Sequence, residues 1–175
     1  FVLGPSRCGL VALLLLLAHP GLVQEALLSG PALNVRRLAS APRLAIARVL
    51  NRLMPFITSS HGIAPERVCA DPDVVSAYVA DPLVHARLSP RLTVSMIEQG
   101  DRVRSAATSF RRELSVLLLN GEEDSIAAAA DTESFGRQLS CSKKETVVLS
   151  GMRHEVFNEP EQARTFAALD RFFQL

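Results

Sequence analysis

The sequence has little cysteine: Cys8, Cys69 and Cys141 are the three in 175 residues. They are odd in number and far apart, with no CxxC pair and no Cys/His cluster. That argues against a disulfide framework and a zinc site, and it fits reduced thiols in a cytoplasmic protein. Charge of one sign is not in excess either. Nineteen basic residues stand against 18 acidic ones, a net charge of +1, so nucleic acid is not expected as a partner. The apolar run Gly9 to Ala18 is too short to span a bilayer as a helix. His19-Pro20-Gly21 follows it instead of the small-residue pattern of a cleaved leader, so a buried helix explains the run better. Internal repeats and low-complexity linkers are absent.

What is present is apolar mass. Apolar residues make up 48% of a chain of ordinary single-domain length, and the mean hydropathy is +0.20. Such an excess implies a large core, an apolar substrate tunnel or a surface that is covered. Val2 and Leu3 read as the end of a strand broken by Gly4, and Ser6 to His19 as a helix stopped by Pro20 and Gly21. Leu22 to Gly30 reads as a short buried strand, although its Ala and Leu residues leave a helix open; strand, helix, strand at this spacing makes a βαβ unit with a parallel pair. Pro31 to Arg112 holds most of the ten prolines and no confident strand. Its helices are expected at Leu44–Met54, Asp73–Val79 and Ser89–Ser109. Leu114 to Leu119 reads as a central parallel strand ended by Asn120-Gly121. A helix over Asp131–Leu139, a β-branched strand over Glu145–Leu149 and an amphipathic helix over Pro160–Gln174 complete the pattern. The expected organisation is residues 1–34, then a helical insertion over 35–112, then 113–175.

Three residues carry chemistry in this layout. Gly4-Pro5-Ser6-Arg7-Cys8-Gly9 lies between a strand end and a helix start, the context of a sharp turn that exposes a serine nucleophile. The backbone N–H of Arg7 would then face a developing oxyanion. Cys8 stands where such turns carry their second glycine, and its side chain is expected to crowd the turn. Ser6 equally suits the N-cap of a helix. Asp124 follows one buried strand and His154 follows the last. Both therefore fall at the carboxyl ends of parallel strands, where open α/β sheets place their sites. The order Ser6, Asp124, His154 suits a nucleophile, an orienting acid and a base. Taken singly, Asp124 also suits an acidic turn and His154 a solvated loop.

The sequence resembles the monoacylglycerol lipase and lysophospholipase branch of the α/β-hydrolases, a branch similar to serine aminopeptidase-like proteins. The resemblance is carried by GPSRCG, by LLLLLAHP ending at Pro20, and by LLSGPAL ending at Leu33. It continues through DPDVVSAYVADPLVH (Asp71 to His85), LLLNGEEDSI (Leu117 to Ile126) and GMRHEVFNEP (Gly151 to Pro160). It implies a partial α/β-hydrolase fold: a mostly parallel sheet with a helical cap insertion and with the N-terminal strands absent. The HG-type loop that supplies a second oxyanion donor in the family has no counterpart here. The first residue is Phe1, so the expectation is a processed or partial chain. The resemblance implies Ser6 as nucleophile, Asp124 as acid and His154 as base, with no cofactor and no metal. The implied substrate is a small lipid, the ester of a single acyl chain on glycerol. Ile57, Ile63, Val74, Val75 and Ile97 are candidate linings of an acyl channel under the cap. Peripheral membrane contact through the cap is admitted, and the oligomeric state is left open. Two alternatives stand beside this reading: a catalytically inactive fragment of the scaffold, and an α/β-hydrolase acting on peptides or thioesters.

Overall fold

In the computed structural model, which describes residues 1–174, the chain builds a four-stranded sheet in the order β1-β2-β5-β6. Its strands are β1 (Val2–Pro5), β2 (Glu25–Ser29), β5 (Ser115–Gly121) and β6 (Lys143–Leu149), and every pairing is parallel. Parallel neighbours require crossovers. Helix α1 (Ser6–Ala18) supplies the first and α5 (Ala129–Gln138) the last. Between β2 and β5 the chain makes a long excursion through α2 (Ala41–Leu53), α3 (Pro72–Ala80) and α4 (Pro90–Ser105) before returning to pair with β2. Helix α6 (Ala163–Phe173) closes the chain.

Side chains alternate across the two central strands, as the period of a strand requires. Ala26, Leu28, Val116 and Leu118 face one side, where they pack with Leu10 and Leu13 of α1, Val103 of α4 and Phe135 of α5. Leu27, Leu117 and Leu119 face the other, against Met152, Val156, Ala168 and Phe172. Because β2 and β5 are covered on both faces, they read as continuous apolar runs. Helix α1 packs on this sheet through Leu10, Leu13 and Leu16, while Val11 on its outer face is exposed. The end of the excursion is part of the same core, since Val103, Ala107 and Phe110 pack with α1.

Three sequence expectations are corrected. The stretch from Pro31 to Arg112 does contain strand: β3 (Ser59–Ser60) pairs antiparallel with β4 (Arg87–Leu88). Two-residue strands have no periodicity to detect. The pairing is instead fixed by His61 N–H on Ala86 O at 2.9 Å and by the Arg87 guanidinium on Thr58 O and Oγ1. Asn120 and Gly121 do not end β5 but belong to it, paired with Val148 and Leu149. The helix expected over Ser89–Ser109 stops at Ser105, and a 3₁₀ turn over Ala107–Ser109 follows. Its start is as expected, with the Ser89 hydroxyl capping Leu92 N–H at 3.2 Å.

Candidate active site

The site is assembled where three strands end. At the end of β1 the chain turns straight into α1 with no intervening loop. Ser6 takes a φ of 48° to do so, a left-handed conformation that costs a non-glycine residue about 1–3 kcal/mol. Its side chain does not cap the helix: Pro5 is the N-cap residue and no side-chain cap is made. The turn closes because two positions have no side chain. A Cβ on Gly4 would lie 2.8 Å from Cys8 O, and a Cβ on Gly9 would lie 2.8 Å from Gly4 O and 3.0 Å from Pro31 Cβ. The second indispensable glycine is therefore Gly9, not position 8. Cys8 does not crowd the turn; it is exposed on the cavity wall. Ala32 N–H donates to Ser6 O at 3.0 Å and ties the loop after β2 to the turn.

Asp124 sits in the loop after β5 with its carboxylate fully buried. Oδ1 accepts from the N–H groups of Ile126 and Ala127, both at 2.8 Å. Oδ2 faces His154 Nδ1 at 2.7 Å. Asn120, also buried, donates from Nδ2 to Asp124 Oδ2 at 3.3 Å and to Ala127 O at 2.9 Å. Its own Oδ1 accepts from Thr132 Oγ1 at 2.7 Å. Extending β5 through Asn120 is thus what brings this amide under the acid loop. Gly121 lets the histidine loop lie on the strand end, since a Cβ there would lie 2.0 Å from Arg153 O.

His154, 8% exposed, is held between Asp124 and Gly30. Gly30 has a φ of 49°, and a Cβ on it would lie 3.1 Å from the imidazole and 3.2 Å from Asp124 Oδ2. With Asp124 behind Nδ1, the ring is fixed with its other nitrogen free for a reaction partner. Ser6 and His154 line one cavity of about 1030 Å³, and no direct hydrogen bond joins them. Arg7 and Cys8 share that wall. The four residues singled out from sequence are thus brought together: Asp124 and His154 by contact, Ser6 and Arg7 by the shared cavity. Gly30 and Asn120 are not among the site residues read from sequence. Gly30 carries the one usable signal, a glycine directly after a buried strand.

The excursion forms most of the rest of the cavity wall. Leu38, Leu44, Ala47, Leu50 and Met96 line it. Of the five apolar residues named as candidate channel linings, Ile63 does so, whereas Ile57, Val74, Val75 and Ile97 do not. Ile97 is buried within α4, and Val74 and Val75 belong to α3, which reaches the cavity through Tyr78. His61 is in the wall as well, and partial burial together with the nearby His85 holds its pKa below the usual histidine value. Burial pushes the Cys69 and Cys141 thiols up and keeps them un-ionised. Among the described residues no group of three His, Cys, Asp or Glu side chains is arranged to hold a metal ion.

A parallel sheet with helices on both faces, a strained serine between strand and helix, and a long excursion between β2 and β5 define an α/β-hydrolase fold. The chain belongs to the family described as serine aminopeptidase, S33, whose model matches residues 1–161. It is 33% identical over 162 residues to a monoacylglycerol lipase of Mycolicibacterium smegmatis, covering 92% of this chain and 57% of that protein. It superimposes on the monoacylglycerol lipase of Paleococcus ferrophilus with a TM-score of 0.88 at 29% identity, over 97% of this chain and 66% of the other. A soluble variant of monoglyceride lipase from Saccharomyces cerevisiae, solved with a substrate analog, shares the fold (TM-score 0.84, 20% identity), over 99% of this chain and 60% of that one. The chain thus spans less than two thirds of each of these relatives, and it is the monoacylglycerol lipase branch of the fold that it resembles throughout.

Proposed function

We propose that the chain is a serine hydrolase cleaving carboxylic esters of single-chain acylglycerols, monoacylglycerol or lysophospholipid, through an acyl-enzyme on Ser6. The observation that carries this reading is the buried 2.7 Å Asp124–His154 pair, whose imidazole lines the same apolar-walled cavity as a serine at a φ of 48°. Ser6 Oγ attacks the ester carbonyl while His154 Nε2 takes its proton. The oxyanion accepts from the N–H of Arg7, one of the first N–H groups of α1, which have no partner within the helix. His154 then protonates the leaving glycerol oxygen. Water, deprotonated by the same imidazole, attacks the acyl-serine; as the acyl–oxygen bond breaks, the imidazolium returns that proton to Ser6 Oγ and the fatty acid leaves. Asp124 keeps the imidazole in the tautomer with Nδ1 protonated and stabilises its charged form.

In the same reading, residues 35–112 act as a cap over the site, and the apolar wall from α2 receives the acyl chain. The cap also offers a lipid surface a foothold. Val49, Leu53, Met54, Phe56 and Leu83 are all exposed, Leu83 at 87%, and Arg48 and Arg52 share α2 with Val49 and Leu53. Exposed apolar residues interleaved with cations on one helix suit peripheral contact with a membrane. No helix among the described residues is long and apolar enough to cross one.

The test is release of fatty acid from a long-chain monoacylglycerol and a lysophospholipid, against a short-chain ester, a thioester and a peptide amide, with Ser6→Ala as control. Cleavage of the long-chain esters that is lost in S6A supports the reading. Preference for the short ester, the thioester or the peptide overturns the substrate class. A folded chain that cleaves none of them is the inactive scaffold.

A further inference from the structure

Among the described residues Glu159 is the one buried acidic residue besides Asp124, at 1% exposure, and the chemistry above does not use it. No cation pairs with it among the described residues. It accepts instead from backbone N–H groups on two separate parts of the chain. Oε1 takes Arg153 N–H at 2.8 Å, and both oxygens lie 3.2 Å from Ala70 N. Arg153 immediately precedes His154, whereas Ala70 belongs to the excursion between β2 and β5.

The other contacts of residues 66–70 point the same way. The Arg153 guanidinium donates back to Glu66 O at 2.6 Å and Cys69 O at 3.0 Å. On the other side of His154, Glu155 N–H donates to Val68 O at 2.8 Å. Cys69 Sγ lies 3.3 Å from Asn158 O. Toward the acid loop, Arg67 Nε donates to Ser125 Oγ at 2.7 Å, and its guanidinium also reaches Ser125 O, one residue past Asp124. One short segment of the excursion is therefore bonded to the neighbours of both Asp124 and His154. Val68 and Cys69 are buried there, which shields the bonds at their backbone from water, whereas the guanidinium contacts of Arg67 with Ser125 and of Arg153 with Glu66 are exposed.

We propose that Glu159 is a positioning residue, the buried anchor of a brace through which residues 66–70 hold His154 against Asp124. A buried carboxylate that has only N–H partners fixes the separation of those partners, because losing either leaves charge unsatisfied. Arg153 N–H cannot leave Glu159 without moving the His154 backbone. Displacing the segment 66–70 therefore releases the imidazole, and the state of the excursion is communicated to the base. The inference rests on the reading of His154 as the base.

The experiment uses the whole chain with ¹⁵N-labelled histidine. The ring nitrogen shifts of His154 report its tautomer whether or not ester is cleaved, and fluorophosphonate labelling of Ser6 reports reactivity. Three variants are compared: Glu159→Ala, Glu159→Gln, which keeps one acceptor, and Arg153→Met, which keeps Glu159 but removes the guanidinium contacts to Glu66 and Cys69. The unmodified chain is expected to show one tautomer, protonated on Nδ1. E159A should show a mixture, with labelling slowed about a hundredfold, the scale of an ångström's misplacement. E159Q should recover part of both, and R153M should shift both in the same direction but less. Should E159A not fold, E159Q and R153M decide. Unchanged His154 shifts in the folded variants overturn the brace. A single tautomer in the unmodified chain with no labelling overturns the hydrolase reading instead, and the variants' shifts still judge the brace.

Discussion

Replacing Gly30 by alanine separates the cost of backbone strain from the cost of disturbing the site. Gly30 follows β2 at a φ of 49°, and its N–H donates to Leu119 O at 2.8 Å. An alanine there meets two penalties. The left-handed backbone costs about 1–2 kcal/mol for a residue with a Cβ. The Cβ also lands 3.1 Å from the His154 ring and 3.2 Å from Asp124 Oδ2, so one of them gives way by a few tenths of an ångström. Misplacement by an ångström costs on the order of a hundredfold in rate, so a shift of this size costs about tenfold. Gly62 is the matched control: its φ is 71°, and an added Cβ has nothing within 4 Å. Both variants should lose about 1–2 kcal/mol in urea unfolding. Only G30A should label about tenfold more slowly with a fluorophosphonate. Equal labelling rates for G30A and G62A would refute the claim that Gly30 sets the position of His154.

Asp124→Asn keeps the acceptor that serves Ile126 and Ala127 but removes the anion beside Nδ1; hydrolysis should fall by about 10⁴-fold with the fold intact by circular dichroism. Ser6→Gly relieves a strained φ and should raise stability by about 1 kcal/mol while abolishing labelling, since glycine adopts that conformation freely but loses more chain entropy. Cys8→Gly and Gly9→Ala should behave in opposite ways. Position 8 is exposed, so C8G should cost at most about 1 kcal/mol. G9A forces a Cβ to within 2.8 Å of Gly4 O and should cost more than about 2 kcal/mol or open the turn; a chemical melt of each decides.

The central sheet was legible because β2 and β5 are short, apolar and buried on both faces, while the partly exposed β6 is marked by its β-branched residues. LSVLLL and ETVVL could hardly be placed anywhere else, and once they were strands, Asp124 and His154 fell at their carboxyl ends. The turn at Ser6 was legible as a position but not in its packing. Which glycine meets Gly4 depends on how α1 leans over Pro31, and no spacing rule contains that contact. The excursion was legible only as helices. Its β3/β4 pair is too short to have a pattern, and which faces of its helices meet the cavity depends on how they fold back over the sheet, so four of five expected linings lie elsewhere. The bonds of Glu159 join residues 89 positions apart through backbone N–H groups, which leave no mark on side-chain identity at the partner end.

The central claim is that Ser6 is an activated nucleophile. Incubating the folded chain with a fluorophosphonate and mapping the adduct by peptide mass spectrometry tests it most directly. The account predicts a single phosphonyl group on Ser6, lost in Ser6→Ala and slowed in Asp124→Asn. A folded chain that takes up no probe, or takes it up at another serine, would contradict it.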